Sequence, residues 1–260
     1  MPQVVVILPG ATDYELQGRI HGDLDIPLCA EGREEVGRVG RELQDLGIEV
    51  LYTSCCSSAA ETAQAIGKAL GVKVKKLEQM ENLDHGLWQG LLIDEVRQKQ
   101  PKVYRQWLEQ PETICPPEGE TIEHARQRVQ GVLAKLLKKH ADGVIGLVIP
   151  EPLASVVRAE LGAGDLGDVW RANCEHGCWS VLSVGKSGKG DLAATTTLLA
   201  PAAPLNGRPS ADVRPSENGR NGDTPHRLAA DRDPGHREQA AAVGSHAGDS
   251  RAPLPAQIFP

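Results

Sequence analysis

Phenylalanine is nearly absent: the 260 residues contain one Phe, three Tyr and four Trp, so aromatics are only 3% of the chain. In such a chain Trp88, Trp107, Trp170 and Trp179 are read first as packing residues, and Trp88 alone is singled out because its segment is expected to border the pocket. No run of about 18 apolar residues occurs, so no membrane-spanning helix is expected. Blocks of Lys or Arg are also missing, and the net charge is −7; both argue against a nucleic-acid partner. Met1-Pro2-Gln3 lacks the basic start of a secretory signal. The six cysteines show no disulfide-framework spacing, so reduced thiols in a cytoplasmic protein are expected. Lysine disappears after residue 200: all eleven lie before Pro201, and residues 201–260 balance seven Arg against seven Asp/Glu. That Pro/Gly/Ala/Arg-rich stretch shows no apolar periodicity and cannot bury enough surface to offset its ordering entropy. It is expected to be a disordered tail, the alternative being a docking peptide at 256–260. Residues 1–200 then form the folded domain and carry the whole net charge.

What is present in 1–200 is an alternation of strand and helix. Val4 to Leu8 is an unbroken apolar run closed by Pro9-Gly10, and Val144 to Ile149 is a second, closed by Pro150. Such runs predict strands buried on both faces of a parallel sheet. Helices are predicted at 31–46, 54–70, about 92–99, 102–109, 120–138 and about 152–161, with Gly47 and Gly71 as stops. Further strands are expected at 50–53, 72–75 (edge-like), 179–184 and 191–199. The fold class is α/β, a three-layer sandwich around a mostly parallel sheet. In such sheets ligands bind at the carboxyl ends of the strands, which points to Leu8-Pro9-Gly10.

Several segments together resemble the histidine phosphatase superfamily (phosphoglycerate mutase-like). They are Gly10-Ala11-Thr12-Asp13-Tyr14, Gly18 to Leu28, Glu31-Gly32-Arg33, Leu51-Tyr52-Thr53-Ser54, Glu61 to Ile66, Leu83 to Gly90 with its Gly-x-Trp-x-Gly, and Pro117 to Thr121. The matches are collinear over residues 3–199. The resemblance implies a phosphoryl-transfer site: a histidine nucleophile in Arg-His-Gly, arginines and a second histidine holding phosphate, and a glutamate as proton donor.

Carried over by position, those roles fall on other residues here. The nucleophile position is Pro9 and its arginine neighbour Leu8. The glutamate two places on is Ala11. The second-helix arginine is Ser58, the proton donor is Asn82, and the second histidine is Pro150. Glu15 stands where an asparagine is usual, and Glu15 and Glu151 are expected near the rim. A residual pocket would comprise Gly10, Thr12, Arg19, His21, Glu81 and His85. His21 and His85 are either substitute nucleophiles or loop histidines bonded to backbone or water, and the second reading is preferred. Glu81 could supply a proton by a one-residue shift. Thr12 and Arg19 could bind an anion weakly.

Two cysteine segments stand outside the resemblance. Cys174-Glu175-His176-Gly177-Cys178 could contribute to a zinc site but lacks a fourth ligand, so no metal and no cofactor are expected. Cys55-Cys56 opens a helix, where the dipole would lower a thiol pKa; a redox role and a plain helix start are both open. The expected function is a catalytically inactive pseudophosphatase with a binding or regulatory role, taking a phosphorylated small molecule weakly or a protein partner. The alternatives are a phosphomonoester phosphatase or mutase working through substitute residues, and a decaying gene product.

Overall fold

The computed structural model describes residues 1–172, 175–186 and 192–198. The expected tail at 201–260 lies outside them. Six strands are described, β1 (Gln3–Ile7), β2 (Val50–Thr53), β3 (Lys73–Lys76), β4 (Val144–Val148), β5 (Trp179–Lys186) and β6 (Leu192–Leu198), in sheet order β3-β2-β4-β1-β5-β6. The pairings among β3, β2, β4 and β1 are parallel, and β5 and β6 add antiparallel strands on one side. The apolar runs of β1 and β4 pair with each other in the middle, Val4 beside Ile145 and Ile7 beside Val148.

Strand alternation sends side chains to two cores. Val5, Ile7 and Leu51 pack with Val36, Val39 and Leu43 of the α2 region and Ala63 and Ile66 of α3, where α2 is Ala30–Glu42 and α3 is Ser57–Leu70. Val4, Val6, Leu8 and Leu147 face the opposite layer, with Val129 and Leu133 of α6 (Ile122–Lys139) and Val156 of α7 (Leu153–Glu160). The sandwich therefore has the expected layers. α4 (Ile93–Lys99) and α5 (Pro101–Glu109) also match.

The boundaries differ where capping decides them. The first long helix ends at Glu42 and passes into a separate tight turn at Gln44–Leu46. α3 starts at Ser57, three residues later than expected, with Cys56 as N-cap. Two short helices were not anticipated, α1 (Asp13–Gln17) and α8 (Val169–Ala172). α1 has no apolar stripe to announce it. It is set by Thr12 and Glu15, which form a reciprocal capping box, and by Gly18 in the left-handed conformation.

The scarce aromatics are concentrated. Trp88, Trp107, Trp170, Tyr104 and His85 form one cluster, with Tyr104 stacked on Trp170 at 5.1 Å and His85 edge-on to Trp107 at 5.7 Å between ring centroids. Trp88 is thus a packing residue like its neighbours. Trp179 lies apart, donating its indole N–H to Glu42 at 2.8 Å.

Candidate functional site at the strand ends

The turn after β1 is placed by close backbone approach. A Cβ on Gly10 would collide with the backbone of Gly32 in α2, and a Cβ on Gly32 with Ala11, so both positions must be glycine for the turn to rest on the helix. The hydrogen-bonding groups of this turn are engaged within the protein. Leu8 N–H donates to Cys178 O at 2.8 Å, and Pro9 O accepts from Gly177 N–H at 2.6 Å. Gly10 N–H donates to Thr62 Oγ1 at 3.2 Å, Ala11 N–H to Glu35 Oε2 at 3.0 Å, and Thr12 N–H to Glu15 Oε2 at 2.8 Å. The side chain of Leu8 enters the core, and Pro9, Gly10 and Ala11 are buried.

Glu15 organises the next layer. It accepts from both the N–H and the hydroxyl of Thr12, and its Oε1 lies 2.7 Å from Nδ1 of the buried His21. Nε2 of His21 is 2.9 Å from Leu24 O, which can only accept, so that nitrogen carries hydrogen. Burial pushes the Glu15 carboxyl up. The His21 hydrogen bond and charge, with the Thr12 donors, outweigh this and hold it below the ordinary carboxylate value. Both ring nitrogens of His21 are therefore committed, and neither faces outward as a nucleophile. Glu15, expected on the rim, is only half-buried, with its carboxylate turned in to Thr12 and His21.

Asn82 is the most heavily bonded of the predicted site residues. Its Nδ2 donates to Gly22 O at 2.7 Å and Glu151 O at 2.8 Å, while Oδ1 accepts from Leu153 N–H at 3.3 Å. The amide thus joins its own segment to the loop before α2 and the loop after β4. A carboxylate could not replace it, because two of its partners are carbonyl oxygens. Arg128 of α6 fixes the segment from behind, donating to Asn82 O and Gln79 O and pairing with Glu120.

Beyond β4, Pro150 is buried and its carbonyl accepts from Ala154 N–H at 3.0 Å. Glu151, also expected at the rim, is buried instead. It accepts from the N–H and hydroxyl of Ser155 at 3.0 and 2.8 Å and pairs with Arg158. Complete burial raises its carboxyl above the ordinary value, against the pull of Arg158 and Ser155. Ser58 is fully buried and touches Cys56, its Oγ 3.7 Å from Sγ.

The structure brings Pro9, Gly10, Thr12, His21, Asn82 and Pro150 into neighbouring buried layers. Arg19 is elsewhere: it donates to Gly90 O and Gln17 at the surface. His85 belongs to the aromatic cluster. What remains open at the mouth is a cavity of about 230 Å³ lined by Asp23, Asp25, Cys55, Cys56, Glu81 and Asn82. Its lining has three carboxylates and no Lys or Arg. Asp25 accepts from Ser57 N–H, at the start of α3, at 2.7 Å, which lowers its carboxyl. Contrary to the dipole expectation, the Cys55 thiol is raised, first by burial and then by Glu81. Burial, with Glu175, pushes the Cys178 thiol up to about 11. Cys174 lies outside the described residues, and among those described no three His, Cys, Asp or Glu are placed to hold a metal.

Sequence reading missed Thr62, Glu35, Ser155 and Arg158, which close the site, and weighed His176 only as part of a zinc site. Glu35 had a signal, since Glu35, Arg38 and Glu42 recur at i, i+3 and i+7 along one helix stripe, yet helix charges usually face water.

Comparison with known proteins gives a consistent family. The model of the histidine phosphatase superfamily (branch 1) matches residues 9–194. Phosphoserine phosphatase 1 of Hydrogenobacter thermophilus is 28% identical over 183 residues, covering 70% of this chain and 86% of its own. The uncharacterized phosphatase PhoE of Bacillus subtilis is 25% identical over 166 residues, covering 64% of this chain and 80% of its own. Among solved structures, a mycobacterial glucosyl-3-phosphoglycerate phosphatase in complex with VO3 superposes with a TM-score of 0.65 at 22% identity, over 76% of this chain and 98% of that one. An alpha-ribazole phosphatase from Shigella flexneri gives 0.60 at 21%, over 76% and 95%. At these identities the structural matches speak to fold.

Proposed function

Because this chain belongs to the histidine phosphatase superfamily, we propose that it is a pseudophosphatase, keeping the fold while lacking the phosphoryl-transfer chemistry of the family. One observation carries the reading: the turn amides at the end of β1 are bonded to Thr62, Glu35 and Glu15 of the protein itself. Glu35 and Glu15 thus put internal carboxylates at the carboxyl end of β1, the side of such a sheet on which ligands bind. Two unit charges about 4 Å apart repel by roughly 4 kcal/mol near a protein surface. A missing arginine contact forfeits roughly 1.5–3 kcal/mol. Repulsion from the carboxylates adds to the attraction that the missing cations no longer supply. His21 and His176 pair with these carboxylates and are themselves consumed by the pairing.

Pro9 has no atom that can attack phosphorus, and Asn82 has no acidic proton to give to a leaving oxygen. The competing reading is a phosphomonoester phosphatase working through His21 or His85, in line with the names of the relatives. Purified protein incubated with p-nitrophenyl phosphate, phosphoserine and phosphoglycerates between about pH 5 and 8 is expected to release no phosphate above buffer. Steady turnover that disappears in His21→Ala or His85→Ala would establish the enzymatic reading instead. The binding role assigned here is to a protein partner in preference to a phosphorylated metabolite. A thermal-shift screen with phosphorylated metabolites is expected to leave the melting temperature unchanged.

A further inference from the structure

Glu35, Arg38 and Glu42 form a stripe on α2, and all three reach the segment that leads into β5. Arg38 donates to Gly177 O at 2.7 Å, Glu42 accepts from the indole of Trp179, and Glu35 Oε2 meets Nδ1 of His176 at 2.9 Å. The same Glu35 oxygen accepts from Ala11 N–H at 3.0 Å. Gly177, at φ +57°, donates to Pro9 O at 2.6 Å. At that φ a side chain would be strained, and its Cβ would also crowd Glu35, within 2.6 Å of Oε2, which favours glycine here. Residues 175–178 and the Pro9–Ala11 turn are thus joined through one carboxylate oxygen, and one of its two partners is an imidazole, the side chain suited to a pH switch.

We propose that this junction is a pH-sensitive latch, in which protonated His176 holds the 175–178 segment against the turn after β1 and loss of the proton loosens both. The charged groups acting on His176 are Glu35 and Arg38 from α2 and Glu15 from α1. Burial and Arg38 disfavour the imidazolium. The Glu35 hydrogen bond and the two carboxylate charges favour it more strongly, and the net direction is upward. Arg38 is itself paired to Glu42 at 3.0 Å, which weakens its opposition. Glu35 is correspondingly held below the ordinary carboxylate value, burial being outweighed by His176.

The sign follows from the raised value. The latch is complete below the ordinary imidazole range, about 6.5, and is lost as pH rises through the higher folded value of His176. A neutral Nδ1–H tautomer bonded to Glu35 at every pH would instead give a contact indifferent to pH, so the two cases separate experimentally. The latch concerns backbone mobility and holds whether or not the strand ends turn over phosphate.

NMR titration of the His176 ring in the full chain, with amide exchange at Ala11 and Gly177 across the same range, tests it. The expected result is a midpoint above about 6.5. Protection at the two amides should fall through that midpoint, by about tenfold for each unit of elevation, after correction for base-catalysed exchange. In His176→Gln, which keeps a side-chain donor without a charge, protection should be independent of pH. A wild-type midpoint at or below about 6.5, or equal protection of Ala11 and Gly177 on both sides of it, would overturn the latch. Both readouts come from the unmodified protein, so they decide the matter even if a variant fails to fold.

Discussion

The bodies of β1 and β4 and the turns that follow them adjoin in the chain but are held by different forces. Val4 to Ile7 and Ile145 to Val148 are buried on both faces and bonded to neighbouring strands. Their cohesion is apolar burial, non-directional and worth roughly 25 cal/mol per Å². The turns at 8–12 and 149–152 are equally buried but are held by directed bonds to Thr62, Glu35, Glu15, Asn82 and Ser155. A strand body tolerates any apolar side chain of suitable volume. A turn held by single polar groups tolerates only the group that matches each donor and acceptor. Replacement of the strand-end residues is therefore compatible with an intact sheet, and the turns are held by their own set of internal bonds.

That contrast can be broken from either side. Leu147→Ala, in a fully buried strand body, should have the largest effect, a loss of about 2–5 kcal/mol in denaturant unfolding from lost burial plus the cavity. Asn82→Asp preserves volume and would be nearly silent if only packing mattered at the turns. It places an acceptor against the carbonyls of Gly22 and Glu151, and should cost about 2–3 kcal/mol by the same measurement. Equal stability of the wild type and this variant would erase the distinction drawn between body and turn.

Smaller effects sharpen it. The lowered Glu15 carboxyl adds stability that is present above the ordinary carboxylate range and is lost as pH falls through its depressed folded value. Glu15→Gln should remove that part of the acid-side slope and cost about 1–2 kcal/mol at neutral pH, seen in unfolding curves taken across pH. Arg33→Ala should do least, under about 0.5 kcal/mol, because its pair with Glu61 spans 3.4 Å between exposed side chains. A thermal melt of that variant should overlay the wild type.

The strands and long helices were legible because their signals are local. Two breaker-closed apolar runs marked the centre of the sheet, and the 3.6-residue stripe of α2 marked the face covering it. α1 and α8 were not legible, since short helices are set by capping atoms and lack a periodic pattern. At the site, the chemical identity of each position could be read: Pro9 cannot attack and Asn82 cannot donate an acidic proton. The partners could not. Glu15 and Glu151 looked like rim carboxylates because acidic residues are rarely buried, and only their pairing with His21 and Arg158 shows why both turn inward and Glu151 is buried. Glu35 and His176 are 141 residues apart, and nothing local in either segment announces the other.

The sequence by itself determined the layered α/β architecture, the family and the side chains available at each strand end, because burial pattern and chemical type are properties of single residues and short windows. Tertiary structure alone decided how the strand-end residues are partnered. Hydrogen-bond geometry between segments far apart in the chain turned Asn82 into a cross-link, His21 into a buried partner of Glu15, and the turn after β1 into a closed knot of internal bonds.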